Sequence, residues 1–288
     1  MARMSDTPNS SDTPNSAAAG DDWAGAPFRT AIVTGSDSGI GRAAAVALAR
    51  DGLDVGITWH TDRDGAEATA DEVRSLGARA FVAHLDLTDI PSTGEVVDSL
   101  ADQLGGLDVF VSSSGTGAST LLLDLDYDEW NHIITTDLGG AFVGIQHAAK
   151  RMIAGGHGGR IIAVTSVHEH QPRVGSSAYD AAKHGLGGLV KTAALELGQY
   201  GITVNAVAPG EIATPMTGMT DQNPHDASRP GVPLGRPGDA REIAAVIAFL
   251  ASPQASYVTG ASFVADGGML QMGPQAGSHL QSNDWRSV

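Results

Sequence analysis

Short apolar runs rich in β-branched residues recur along the chain, and each is followed by a longer stretch with helical spacing. The runs at Thr30–Thr34, Asp54–Trp59, Arg79–Leu85, Leu107–Ser113, Gly159–Thr165, Ile202–Ala208 and Gly260–Ala265 predict seven strands. Between them, helices are expected from Arg42 to Gly52, over 63–77, Pro91–Leu104, Asp126–Ala154 and 177–200, and from Pro237 to Ala251. The segment 126–154 reads as one long helix with an apolar stripe. Residues 215–237 are rich in Pro, Gly, Asn and Asp and break the alternation, as a mobile lid or a solvated connection would.

Strands alternating with helices in this way predict an α/β fold of βαβ units around a doubly wound parallel sheet, with helices on both faces. Ligands of such sheets lie beyond the carboxyl ends of the strands. Those ends are Thr34–Gly41, Asp86, Ser112–Gly115, Ser166–His170 and Pro209–Thr214, and they should converge on one crevice.

Composition narrows the classes. The 288 residues suffice for a substantial core, and 42% hydrophobic with 17% charged residues is globular. The formal charge of −16 argues against nucleic acid or an anionic membrane as partner. With no cysteine, disulfides, thiol catalysis and Cys-ligated zinc are excluded. No apolar run approaches the length of a membrane span, and the N-terminus lacks a signal peptide's apolar core, so a cytoplasmic protein is expected. SDTPNS at Ser5–Ser10 is repeated at Ser11–Ser16. Residues 1–26 hold almost nothing to bury and read as a disordered tail before a domain at 27–270, with 271–288 a C-terminal extension.

Two stretches carry chemistry. Gly35, Gly39 and Gly41 stand between a strand and a helix, the context a dinucleotide loop requires, although a bare turn has the same glycines. Gly35 permits the turn, Gly39 lets the backbone approach a pyrophosphate, and Gly41 allows close helix–strand packing; the phosphates would take N–H groups at the helix N-terminus. Downstream, Tyr179 and Lys183 fall one helical turn apart on one face, thirteen residues or more beyond Ser166. A fixed ammonium favours a phenolate and makes a proton donor or acceptor suited to near-neutral pH. Ser166 can hydrogen-bond the oxygen whose proton moves, which is general acid–base chemistry on an alcohol or carbonyl. An amphipathic helix with one buried Tyr and one surface Lys would leave the same pattern.

These motifs together resemble the short-chain dehydrogenase/reductase family over about residues 28–270. The resemblance rests on Thr34-Gly35-Ser36-Asp37-Ser38-Gly39-Ile40-Gly41, Asp86-Leu87, Ser166 with Tyr179 and Lys183, and Pro209-Gly210 with Thr214. It implies a single-domain Rossmann fold that binds NAD or NADP and moves a hydride between nicotinamide and an alcohol or carbonyl carbon. It implies that Tyr179 is the acid/base, that Lys183 supports it and holds the nicotinamide ribose, and that Ser166 steadies the substrate oxygen. Asp86 would contact the adenine and Thr214 the carboxamide. The implied cofactor set is Gly35, Ser36, Ser38, Gly39, Ile40, Gly41, His60, Asp86, Leu87, Ser113, Gly115, Tyr179, Lys183, Pro209, Gly210, Ile212 and Thr214. The second strand ends in Thr58-Trp59-His60-Thr61 without an acid for a ribose 2′-hydroxyl. Arg63 could meet a 2′-phosphate and Asp62 and Asp37 would repel one; the balance leans to NADP, with dual use open.

Two departures stand out. Ser112-Ser113-Ser114-Gly115 replaces the family's usual Asn-Asn-Ala-Gly, and Asp137 replaces an Asn that supports a water-linked proton path to the lysine. A carboxylate there would raise the pKa of Lys183. On the substrate side, Ser166-Val167-His168-Glu169 and the C-terminal Val264–Met269 resemble bacterial glucose 1-dehydrogenases of this family, which places His168 with Ser166 and Tyr179 against a sugar or polyol. Gly117 stands where that subgroup has a sugar-binding carboxylate. Strand-like alternation would set His168 and His170 on one face, but no third ligand is evident and no metal is expected. A polar loop facing water competes with the pocket reading. A 3-oxoacyl thioester reductase shares the core motifs and would need a basic patch such as Arg151, Arg160 and Arg173 for an acidic carrier protein. A cofactor-binding scaffold or sensor with weak catalysis is the alternative of another class. The resemblance also implies a homotetramer built on the two long helices, 126–154 and 177–200, and the C-terminal segment.

Overall fold

In the computed structural model, the described residues are 28–117, 119–219 and 223–272. The expected disordered tail and most of the C-terminal extension therefore lie outside the described residues. The chain runs β1 (Thr30–Val33), α1 (Gly39–Arg50), β2 (Asp54–Trp59), α2 (Arg63–Ser75), β3 (Ala80–His84), α3 (Ile90–Leu104) and β4 (Val109–Ser112). It continues through α4 (Tyr127–Ile134), α5 (Ala141–Gly155), β5 (Gly159–Val164), α6 (Ser177–Leu197), β6 (Ile202–Pro209), β7 (Ile212–Ala213), β8 (Gly238–Asp239), α7 (Ala240–Ala251) and β9 (Ser262–Ala265).

Seven strands form one sheet in the order β3-β2-β1-β4-β5-β6-β9, every pair parallel. This is the Rossmann arrangement. β1, β4, β5 and β6 are buried along their whole length, so they read as unbroken apolar runs rather than alternating ones. One core layer packs Ala44, Leu48, Ala66, Ala70, Ile243 and Ile247 of α1, α2 and α7 against one face. On the other, Leu100, Ile145, Ala148, Leu186 and Val190 of α3, α5 and α6 close over Ile32, Phe110 and Ile161. Chain order reverses direction between β1 and β4, which opens a crevice at the carboxyl ends of those strands.

Two elements differ from the expected pattern. The long helix is interrupted by a π-helical segment, Thr135–Gly140, between α4 and α5. A wider turn keeps the residues helical, so composition and apolar stripe do not reveal it. The irregular segment 215–237 is flanked by a small parallel pair, β7 with β8, whose two-residue strands are too short to leave a period-2 signal.

Candidate active site

The glycine loop is stitched to both neighbours of β1. The N–H of Gly35 donates to Thr58 Oγ1 at 3.1 Å, and the N–H of Thr58 donates to Ser36 Oγ at 3.0 Å. The N–H groups of Ser113 and Ser114 both donate to Thr34 Oγ1, at 3.0 and 3.1 Å. Ser113, in place of the second usual asparagine, and Ser114, in place of the usual alanine, thus meet the neighbouring strand end through their backbone. Gly35 and Gly39 have φ of +60° and +53°, conformations that disfavour a side chain. A Cβ on Gly41 would lie 2.1 Å from the Gly35 carbonyl oxygen, so only glycine lets α1 approach the loop. Ser38, the N-cap of α1, makes no side-chain cap bond, which leaves the first N–H groups of the helix facing outward as donors. This uncapped, glycine-lined cradle fits a pyrophosphate. Thr214 borders it: its Cγ2 lies 3.2 Å from where a Cβ of Gly39 would stand. Ile212, at the start of β7, is buried under the same edge, and Pro209 ends β6.

Beyond the ends of β2 and β3, Asp86 Oδ2 lies 3.7 Å from His60 Nε2, and Asp86 Oδ1 accepts the Thr88 N–H and hydroxyl. The Thr88 hydroxyl is the main reason the Asp86 carboxyl sits below its ordinary pKa. Leu87 is buried against Gly140. Burial pushes the Asp37 carboxyl up, and the neighbouring Asp62 charge adds to the rise.

The centre of the crevice holds Lys183 and Asp137, each almost completely buried. Lys183 Nζ stands 3.4 Å from Asp137 Oδ2, donates to the Val164 carbonyl at 3.3 Å, and lies 5.3 Å from the Tyr179 ring centre. Asp137 Oδ1 accepts the Thr116 N–H at 2.7 Å. A Cβ on Gly115 would come within 3.1 Å of Asp137 and 3.4 Å of Lys183, so glycine leaves the pair room. Burial pushes the Asp137 carboxyl up, against the attraction of the Lys183 ammonium. For Lys183, burial is the largest single influence and pushes the ammonium down. The Asp137 carboxylate, with Tyr179 adding to it, outweighs burial and leaves Lys183 raised. The π-helical segment carries Asp137 to this position.

Ser166, two residues beyond β5, caps a single 3₁₀ turn, Val167–Glu169, its Oγ accepting the His168 N–H at 3.2 Å. The turn replaces the expected strand-like alternation and sends the two histidines apart. His168 packs edge-on against Tyr179, ring centres 5.7 Å apart, and faces Asp180. His170 instead meets Ser262 of β9 at 3.1 Å. Glu169 turns inward, accepting the hydroxyls of Thr165 at 2.7 Å and Ser262 at 2.9 Å, and so ties the turn to the sheet edge. Among the described residues no group of three or more His, Cys, Asp or Glu is placed to hold a metal. Sequence reasoning passed over Thr58 and Asp180. Asp180 follows Tyr179 directly, but its partner is fixed by the 3₁₀ turn, which leaves no periodic signal.

Of the three arginines named for a basic patch, Arg160 is buried over Phe28, Arg151 pairs with Asp102, and Arg173 bonds Ser176. At Gly117 a Cβ would meet open space, so the position offers no group to a ligand.

Comparison with known proteins adds independent findings. The profile of a family described as Enoyl-(Acyl carrier protein) reductase matches residues 35–270. The chain is similar to the uncharacterized oxidoreductase YohF of Escherichia coli (strain K12), 49% identical over 86% of this chain and 98% of that protein. It is 37% identical to the 3-oxoacyl-[acyl-carrier-protein] reductase FabG of Staphylococcus epidermidis (strain ATCC 35984 / DSM 28319 / BCRC 17069 / CCUG 31568 / BM 3577 / RP62A), over 84% of this chain and 98% of that one. The crystal structure of acetoin dehydrogenase YohF from Salmonella typhimurium superposes with a TM-score of 0.83 at 49% identity, covering 86% of this chain and 98% of that chain.

Proposed function

Because the chain belongs to the short-chain dehydrogenase/reductase family, an NAD(P)-dependent oxidoreductase family acting on alcohols and carbonyls, we propose that it interconverts a small, oxygen-rich alcohol and its ketone or aldehyde at the Ser166–Tyr179–Lys183 centre. The observation that carries this reading is the buried Lys183–Asp137 pair set beside Tyr179 at the end of the uncapped glycine cradle. When bound, the nicotinamide supplies or accepts the hydride. The residues of the chain manage the proton. Tyr179 Oη exchanges it with the substrate oxygen, and the Lys183 ammonium stabilises the phenolate by charge. Asp137 keeps Lys183 in its ammonium form despite burial. The Ser166 hydroxyl, whose oxygen already accepts the His168 N–H, has its proton free to steady the substrate oxygen. Gly35, Ser38, Gly39, Ile40 and Gly41 would hold the pyrophosphate, His60, Asp86 and Leu87 the adenosine, and Ser113, Gly115, Pro209, Gly210, Ile212 and Thr214 the nicotinamide half; Ser36, expected in the first group, is fully buried with its N–H on the Thr58 carbonyl and its hydroxyl on the Val33 carbonyl, and has no group left for a ligand.

For the cofactor, Arg63 supports NADP, with dual use open because Asp37 and Asp62 would repel a 2′-phosphate. A kcat/KM for NADH far above that for NADPH would overturn the NADP reading. For the substrate, the His168 side of the pocket supports a sugar, a polyol or, as the name of the Salmonella relative suggests, an acyloin. A carrier-protein thioester is the second reading, favoured by the FabG relative and opposed by the pairing of Arg151 with Asp102 and the burial of Arg160. The proposal extends to a cytoplasmic homotetramer.

A panel of sugars, polyols, acyloins and ketones followed by NAD(P)H absorbance tests the reading. Turnover of one class is the expected result. Cofactor binding without turnover of any of them would favour a sensor instead.

A further inference from the structure

Glu169 is a buried carboxylate that the proton chemistry above does not use. Its Oε2 accepts the Thr165 hydroxyl at 2.7 Å and the Ser262 hydroxyl of β9 at 2.9 Å. Its N–H donates to the Ser166 carbonyl at 2.8 Å, and the N–H before it, of His168, donates to Ser166 Oγ at 3.2 Å. The side-chain bond from Thr165 to Glu169 therefore closes a ring around Ser166, and both the carbonyl and the hydroxyl of Ser166 are held inside it. Glu169 Oε1 makes no hydrogen bond to a described residue and lies over α6 at Gly187, where a Cβ would stand 2.4 Å from it. Tyr179, Lys183 and Gly187 are spaced i, i+4 and i+8, so they share one stripe of α6. The glycine leaves the third place in that stripe open to the carboxylate.

We propose that Glu169 is a positioning residue: seated on the gap at Gly187 and tied to Thr165 and Ser262, it holds the Ser166 hydroxyl in register with Tyr179 and Lys183. It acts through Ser166. The inference rests on the Ser166–Tyr179–Lys183 reading above for its catalytic arm, and on geometry alone for the brace itself. Two substitutions release the brace from opposite sides. Glu169→Ala removes the carboxylate. Gly187→Ala keeps it but sets a methyl group where it lies, and the flexible side chain of Glu169 gives way before the helix backbone does. Alanine also favours helix over glycine, so this second change does not weaken α6.

Two measurements on the full-length protein test it. Amide hydrogen exchange reads the brace without substrate: exchange at residues 168 and 169 should quicken roughly tenfold in both variants, while exchange in the β6 core stays as it is in the parent. Turnover of the best substrate of the panel reads the catalytic arm. In each variant kcat should fall on the order of tenfold, with cofactor affinity by calorimetry unchanged. In a Ser166→Ala background either substitution should cost less than about twofold more, because the group that Glu169 positions is gone. Exchange at 168 and 169 unchanged in both variants overturns the proposal. So does the same loss of kcat with and without Ser166, the signature of a merely structural role, or the parent kcat in both variants. If Glu169→Ala fails to fold, Gly187→Ala decides on the same criteria. Turnover of no member of the panel removes the catalytic arm together with the dehydrogenase reading, while exchange still decides the brace. Activity that survives Tyr179→Phe would count against the dehydrogenase mechanism alone.

Discussion

At Lys183, two effects compete: the cost of burying an ammonium and the attraction of Asp137 3.4 Å away. Asp137→Asn removes the second and leaves burial opposed by Tyr179 alone. The pKa of Lys183 should fall, and the basic limb of the pH–rate profile should move to lower pH. A profile unchanged in position would make Asp137 a structural residue only. Tyr179 and Lys183 were legible in the sequence because their pairing is local, one turn of a single helix. The raised pKa of Lys183 was legible too, once Asp137 was noticed as an acid where an amide is usual. The partnership of His168 with Asp180 was not, because it depends on a 3₁₀ turn whose direction no periodicity records.

Among the elements, α1 and α7 show how local chemistry holds the crevice open. Gly41→Ala would drive a methyl group to 2.1 Å from the Gly35 carbonyl oxygen, and backbone cannot step aside as a flexible side chain can. We expect a loss of roughly 1–3 kcal/mol, read as a lower Tm by several degrees, and weakened cofactor binding. At the N-terminus of α7 the Asp239 side chain accepts the Arg241 N–H, and Glu242 reaches back to the Asp239 N–H. Arg236 hydrogen-bonds the Glu242 carboxylate and, with the Asp239 N–H, lowers its pKa from 4.5 to about 2. The carboxyl is depressed in the folded state, so its contribution is full above pH 4.5 and is lost as pH falls toward 2. Glu242→Gln should flatten that part of the acid-unfolding curve, by about 1 kcal/mol or less because the side chain is 48% exposed. An unaltered acid limb would mean the pair contributes nothing. The seven strands and the alternation of strands with helices were readable from apolar periodicity, while the spatial order of the strands was not. The π-helical segment was not, since it changes hydrogen bonding without changing composition, and neither were the two short strands β7 and β8.

On the scale of the whole molecule, apolar side chains remain uncovered on the long-helix side: Tyr127, Phe142, Ile153 and Leu195 are all exposed. Faces of this kind are usually covered by another protein surface. The expectation is a tetrameric mass in solution by light scattering, and a monomer at working concentrations would contradict it. All of these features serve one claim, that Tyr179 exchanges a proton with a substrate oxygen while a bound nicotinamide exchanges a hydride with its carbon. The direct measurement compares the parent protein with Tyr179→Phe, using the best substrate of the panel, with turnover followed by NAD(P)H absorbance and cofactor binding by calorimetry. Turnover should fall on the order of 10²–10⁴-fold with cofactor affinity little changed. Turnover at the parent rate in Tyr179→Phe would contradict the account.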